Sequence, residues 1–172
     1  MDIKEAVDIA SKIPGWMSYE ELTWLGNEAR RHNVIIEVGS WRGRSTKVLA
    51  LMTPGIVISI DDCSGEAPEE GVDIDFRENL APEIVSGKVT VMRESSHIAL
   101  KEIPHKADMI FIDGDHAYHA VKEDILDAQA LLEEGGLLCG HDYNTLDGVI
   151  DAVNGLLTNV RNPIDLIWVG YV

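Results

Sequence analysis

Val34-Ile35-Ile36-Glu37-Val38-Gly39-Ser40-Trp41-Arg42-Gly43-Arg44-Ser45 is the stretch on which the fold turns. Its first half is β-branched and free of polar alternation until Glu37, the pattern of a strand buried on both faces of a parallel sheet. Its second half turns on two glycines and opens a helix expected over Ser45 to Met52. Gly39 and Gly43 let the backbone pass close to a ligand, and a helix start there presents free N–H groups. The spacing is neither the three-glycine fingerprint of nicotinamide cofactors nor a phosphate-binding loop with Gly-Lys-Ser/Thr. A tight turn with helix-packing glycines would give the same letters, so the rest of the chain must decide.

The strand pattern recurs at Ile56 to Asp61, Val89 to Met92, Met109 to Asp113 and Gly136 to Gly140. Helical stretches lie between, weakly around Phe76 to Leu80, briefly over Ser96 to Ile103, and clearly over Tyr118 to Leu132, where Val121, Ile125, Ala128 and Leu132 share a face. Upstream, two helices precede the first strand, and Ser18-Tyr19-Glu20-Glu21 reads as a capping box opening the second. Downstream, a helix near Leu146 to Leu157 leads to an apolar strand from Asp165 to Val172, expected to pair at the sheet edge, antiparallel to a short strand near Val160. Alternation of strand and helix predicts an α/β fold: a doubly wound, mostly parallel sheet with helices on both faces and an antiparallel edge hairpin at the C-terminus.

The 172 residues carry 14 Lys and Arg against 30 Asp and Glu, a net charge of −16. That size fits one domain with one sizeable core, 1–172, with 1–33 as N-terminal helices packed on it. The acid excess argues against a nucleic-acid or anionic-membrane surface, and no apolar run approaches the ~20 residues of a membrane span. Cys63 and Cys139 make no disulfide framework or zinc spacing; a reducing, cytoplasmic setting is expected. Residues 61 to 75 hold seven acids and no Lys or Arg, which reads as a loop that could cover a ligand as a flap.

In open parallel sheets ligands sit outside the carboxyl ends of the strands. Here those ends read Glu37-Val38-Gly39-Ser40, Asp61-Asp62, Glu94-Ser95-Ser96, Asp113-Gly114-Asp115-His116 and His141-Asp142-Tyr143. All five are polar. Asp61 follows the glycine turn by about twenty residues, where nucleoside-binding sheets place a carboxylate for ribose hydroxyls. Trp16 and Trp24 read as core, while Trp41 packs either over a ligand or under the preceding helix. Arg42 and Arg44 read as contacts to an anionic substrate or to a nearby acid.

Three stretches together resemble the class I S-adenosylmethionine (SAM)-dependent methyltransferases, and most nearly the small-molecule O-methyltransferase-like branch called methyltransferase family 24. They are Glu37 to Ser45, Phe111 to Tyr118 followed by Val121 and Asp124, and Gly135-Gly136-Leu137-Leu138-Cys139-Gly140-His141-Asp142-Tyr143. The resemblance implies a seven-stranded Rossmann-like sheet. It implies that Glu37, Gly39, Ser40, Gly43 and Ser45 hold the methionine part of SAM, with Asp61 and Asp62 at its ribose and Ser95 and Ser96 at its adenine. Asp113 completes that site.

The same resemblance brings Asp113 and Asp142 to adjacent strand ends as ligands of a divalent ion, Mg²⁺ first, with His141 beside them. His141 departs from the pair of acids that several relatives carry, so it is read as a metal ligand, a base or a hydrogen-bond donor. Asp115 or His116 is the expected base for an O-directed transfer to a small-molecule or sugar-like acceptor. A homo-oligomer is left open. Two other readings stand beside it: a metal-dependent hydroxylase or hydrolase using the His/Asp cluster, and a non-catalytic SAM-binding module.

Overall fold

A computed structural model describes residues 1–64 and 70–171. The middle of the acidic 61–75 stretch, where the flap was expected, therefore lies outside the described residues. Among those described, seven strands form one sheet: β1 (Val34–Val38), β2 (Ile56–Ile60), β3 (Val89–Met92), β4 (Ala107–Ile112), β5 (Leu132–Gly140), β6 (Thr158–Ile164) and β7 (Ile167–Tyr171). Their order is β3-β2-β1-β4-β5-β7-β6. The first five are parallel; β7 runs antiparallel to β5 and to β6, so the expected edge hairpin is present.

The apolar runs form two-sided strands because successive side chains point to opposite faces. Ile35, Met109 and Phe111 join one core with the helices α1 (Ile3–Ala10), α2 (Tyr19–Ala29) and α3 (Arg44–Met52). Ile36, Ile110 and Ile112 join a second core, under α6 (Ser96–Glu102), α7 (Tyr118–Leu131) and α8 (Asp147–Leu156). Three layers result, with the sheet in the middle.

Two local expectations needed correction. The acidic stretch does not stay a loop to residue 75: α4 (Val72–Asn79) begins after Gly71, whose φ of 82° sets the turn, and α5 (Ala81–Val85) follows with Pro82 in its first turn. Phe76 and Leu80, fully buried, explain why these short helices dock. Strand β5 also begins four residues early, because Leu132 pairs with Ala107 across a register shift before the regular ladder from Met109↔Leu137.

The chain reverses its winding at β1, with β2 on one side and β4 on the other. Main-chain bonds continue past the strands here: Gly39 N–H donates to Ile60 O (2.9 Å), Asp113 N–H to Val38 O (2.7 Å) and His141 N–H to Ile112 O (3.1 Å). These bonds fix the tips of β1, β4 and β5 against one another, and a crevice at such a reversal is where open α/β sheets take ligands.

Candidate active site

At that edge lies a cavity of about 1070 Å³. Its wall includes twelve of the fourteen expected site residues: Gly39, Ser40 and Ser45; Asp61 and Asp62; Ser95 and Ser96; Asp113, Asp115 and His116; His141 and Asp142. Glu37 and Gly43 are not on the wall.

Gly39 is required where it stands. Its φ is +82°, and a Cβ there would lie 2.1 Å from Asp113 O. Only glycine lets β1 turn away while touching β4. Gly43, at φ +90°, starts α3, and a Cβ would strike Leu80; its part is the turn and its packing. Glu37 is fully buried beneath the turn. Thr46 Oγ1 donates to its Oε2 at 2.5 Å, while Oε1 has no partner among the described residues. Burial pushes the Glu37 carboxyl up to about 8, against the pull of the Ser45 and Thr46 hydroxyls. Ser40 Oγ is likewise buried and unpartnered.

Asp61 already has work on the protein side. Its Oδ2 accepts from Ser40 N–H (2.8 Å) and Trp41 N–H (2.7 Å), and its Oδ1 from Cys63 N–H (2.8 Å). The acid at the end of β2 thus braces the glycine turn at the end of β1. Neighbouring Asp62 uses Oδ1 for the Ser64 N–H and hydroxyl. Around Ser96 the wall contains a residue that sequence reasoning named only as part of a motif: Asp124 on α7 accepts from Ser96 Oγ at 2.5 Å. Burial raises its carboxyl to about 6.

The tips of β4 and β5 hold the titratable cluster. His141 is buried, 4% exposed. Its Nε2 lies 3.1 Å from Glu21 Oε1, and its Nδ1 3.3 Å from Asp142 Oδ2 and 3.8 Å from Asp113 Oδ1. His116 Nε2 meets Asp142 Oδ2 at 2.9 Å. Burial alone would lower the His141 pKa, but its bonds to Asp142 and Glu21 outweigh it and raise it to about 10. Burial alone would raise Asp142; His116 and His141 instead hold it well below the carboxylate range. Burial pushes Asp113 up to about 7, with Asp142's charge adding and His141 opposing.

Glu21 is the residue that sequence reasoning missed. Its Oε2 does complete the expected capping box, accepting Ser18 N–H at 2.7 Å while Ser18 Oγ accepts Glu21 N–H. The other oxygen reaches across the fold to Leu166 N–H (3.0 Å) and to His141. Burial is outweighed by His141 and the two N–H donors, which bring Glu21 down to about 2. A capping pattern accounts for a Glu at this position and carries no signal for a partner 120 residues away.

The expected metal site keeps its three residues together, though its donors are not all oxygen. One donor atom each from Asp113, His141 and Asp142 lies within 4.8 Å of the others, a spacing an ion could use. Mg²⁺, however, prefers near-octahedral oxygen coordination, and here the third donor is an imidazole nitrogen. With Nε2 donating to Glu21, Nδ1 faces Asp113 and Asp142, as in a ligating histidine whose other nitrogen is held by a carboxylate.

Other expectations resolve individually. Trp16 is not core: it is 76% exposed at the cavity mouth, its ring 4.4 Å from that of Trp41. Trp24 packs on the core as expected. Arg44 donates to Ile13 O (2.6 Å) and Met17 O (2.9 Å), pinning the loop that carries Trp16, and Arg42 pairs with Asp75 at 2.7 Å. Asp115 Oδ1 accepts Ala117 N–H at the start of α7. His119 is exposed.

The profile of the methyltransferase-domain family matches residues 36–143, more than half of the chain. The chain belongs to that family. The matched segment of this methyltransferase domain runs from β1 to the tip of β5 and so spans the crevice. The fold matches solved structures at low identity. Against the O-methyltransferase from Bacillus cereus in complex with SAH, the TM-score is 0.72 at 17% identity, covering 99% of this chain and 90% of that one. The SAH-bound Podospora anserina methyltransferase PaMTH1 gives 0.72 at 13%, over 99% and 87%. Cofactor-bound Rv0187 from MTB gives 0.73 at 19%, over 99% and 87%. No curated protein matches the sequence. Among the described residues no helix is long and apolar enough to cross a membrane.

Proposed function

We propose that this chain is a SAM-dependent methyltransferase that methylates a hydroxyl of a small-molecule or sugar-like acceptor. The observation that carries the reading is the β1 turn: Gly39 with no room for a side chain, above two buried polar atoms, Glu37 Oε1 and Ser40 Oγ, that have no partner among the described residues. Buried polar groups left without partners are rare, and two of them lie together at the tip of β1. A cationic, hydrogen-bonding ligand such as the methionine end of SAM suits them. SAM-type cofactors are bound in solved structures of the same fold. The cavity, at about 1070 Å³, exceeds the range usual for one drug-sized ligand, so it has room for cofactor and acceptor together.

When bound, SAM supplies a methyl group already activated on a sulfonium sulfur. What the chain must do is position the acceptor and take its proton. Glu37, Gly39, Ser40 and Asp61 belong to the cofactor side, and Asp62, Ser95, Ser96 and Asp124 to the nucleoside side. On the acceptor side His116 is assigned as the proton acceptor, oriented by Asp142 at 2.9 Å, in preference to Asp115, which is occupied by the start of α7. Holding the acceptor oxygen near an oriented base is a proximity effect, which needs no further protein chemistry. Asp113, Asp142 and His141 are the residues that would hold a divalent ion, which would polarise the acceptor hydroxyl and ease loss of its proton.

Calorimetric titration with SAM tests the reading, on wild type and Asp61→Ala. Saturable heat in the wild type is expected, with affinity reduced at least about tenfold in the variant because Ser40 and Trp41 lose their brace. A wild type that gives no heat with SAM ends the proposal.

A further inference from the structure

Asp124 is the one buried acid among the described wall residues of the cavity, 3% exposed. Its Oδ1 accepts the Ser96 hydroxyl at 2.5 Å, and no described residue donates a hydrogen bond to Oδ2. That second oxygen stands beside the bare backbone of Gly114 at the tip of β4, where a Cβ would come within 3.9 Å of it. The charges that bear on it most, Asp127, Asp115 and Glu123, are all acids. Buried carboxylates are paired with donors or cations, and this one keeps an open acceptor on a ligand cavity. The acids around it are met in other ways. Asp62 takes the Ser64 N–H and hydroxyl, Asp115 the Ala117 N–H and Glu94 the Ser95 N–H, and all three are exposed to water.

We propose that Asp124, steadied by Ser96, accepts a hydrogen bond from the exocyclic amine of the cofactor's adenine and makes the site selective for a 6-aminopurine. The assignment rests on the function proposed above and names the group that reads the base. An ionised carboxylate only accepts, and on the adenine ring the 6-amine is the donor while the ring nitrogens accept. Ser96 occupies Oδ1 and leaves Oδ2 for that amine. A 6-oxopurine would set an oxygen against the carboxylate, and a buried site made to take an N–H rejects a ligand that lacks it.

Calorimetry with 5′-methylthioadenosine and 5′-methylthioinosine, which carry the amine and the oxygen at position 6, tests this on the full chain. Wild type is expected to bind the adenosine compound at least about tenfold more tightly, the worth of one hydrogen bond to a charged group. In Asp124→Asn the side-chain oxygen keeps the Ser96 bond and the amide N–H turns to the base, so the preference should vanish or reverse. Equal affinity of wild type for the two compounds overturns the proposal, and is the result expected if Oδ2 instead takes a ribose hydroxyl. A folded Asp124→Asn that keeps the wild-type preference overturns it too, because a merely structural Asp124 would weaken both compounds alike. Should Asp124→Asn not fold, Asp124→Ser carries the same comparison, with the preference expected to be lost. SAM is titrated into the same samples. Wild type that binds SAM but does not distinguish the two nucleosides removes this assignment alone, whereas absent SAM heat removes the methyltransferase reading and this assignment with it.

Discussion

Glu37→Gln is expected to change the pH dependence of stability in a way few buried substitutions do. The wild-type carboxyl is fully buried, Oε1 has no partner, and burial raises its pKa from the ordinary 4.5 to about 8. A carboxyl raised on folding contributes stability that is complete below its unfolded pKa and is lost as pH rises toward the folded value. The window here is therefore about pH 4.5 to 8. At about 1.4 kcal/mol per unit, wild type should lose about 2–3 kcal/mol between pH 5 and 7 from this group alone. Glutamine cannot ionise, so its profile lacks that loss. Its amide nitrogen takes over the unpartnered position, a fixed cost of about 1–3 kcal/mol that does not vary with pH. The variant should thus be the less stable protein at pH 5 and overtake or match wild type by pH 7 to 8. Urea unfolding at half-unit steps measures this difference, and for a chain of this size it corresponds to about 5–10 °C of relative melting shift. A constant offset between the two proteins from pH 5 to 8 would refute the reasoning, because Glu37 would then be ionised and paired in the unliganded state. A cationic ligand reverses the preference, so SAM should raise the melting temperature of wild type more at pH 8 than at pH 6 and do little for the variant.

Three further outcomes follow from single contacts. Gly39→Ala should lose about 2–5 kcal/mol in urea unfolding, combining the left-handed conformation with a Cβ 2.1 Å from Asp113 O, while Gly155→Ala, with open space around it, should be neutral or stabilising. Lys47→Met leaves Glu83 buried without its 2.7 Å partner and should cost about 3–5 kcal/mol in the same assay, most of it recovered by adding Glu83→Leu. Arg44→Met removes both bonds to the 13–17 loop and should expose that loop to limited proteolysis, with a change in Trp16 fluorescence, at a stability cost of about 1–3 kcal/mol.

The fold was legible where burial dictates residue type. Strands β1, β2 and β4 are covered on both faces, so only β-branched and other apolar residues fit, and the runs announce themselves. Strand β5 was legible only in its second half, because Glu133, Glu134 and Gly135 lie at an exposed end and pair through a single contact across a shifted register. Helices α4 and α5 were obscured by their acidic, Pro82-interrupted sequence; tertiary docking of Phe76 and Leu80 holds them where intrinsic preference is weak. Trp16 was misplaced for a related reason. Its aromatic identity suggests a core, but Arg44 fastens its loop through main-chain carbonyls, and no side-chain pattern records such bonds.

The site divides in the same way. Strand-tip position could be read from residue order, so Gly39, Asp61, Asp113, His116, His141 and Asp142 all reach one cavity wall. What order could not supply is direction. His141 beside two acids has the composition of a metal centre, and only the structure shows its second nitrogen held by Glu21 at 3.1 Å, which fixes the ring toward those acids. The electrostatics then sort the acids into two kinds. Glu21 and Asp142 are held ionised by their histidine and N–H neighbours. Glu37 and Asp113 are pushed up to about 8 and about 7, so near neutral pH each is poised to lose its proton when positive charge arrives. A cavity whose cofactor-side carboxyl is fully buried and pushed up to about 8 is matched to a ligand that brings its own positive charge.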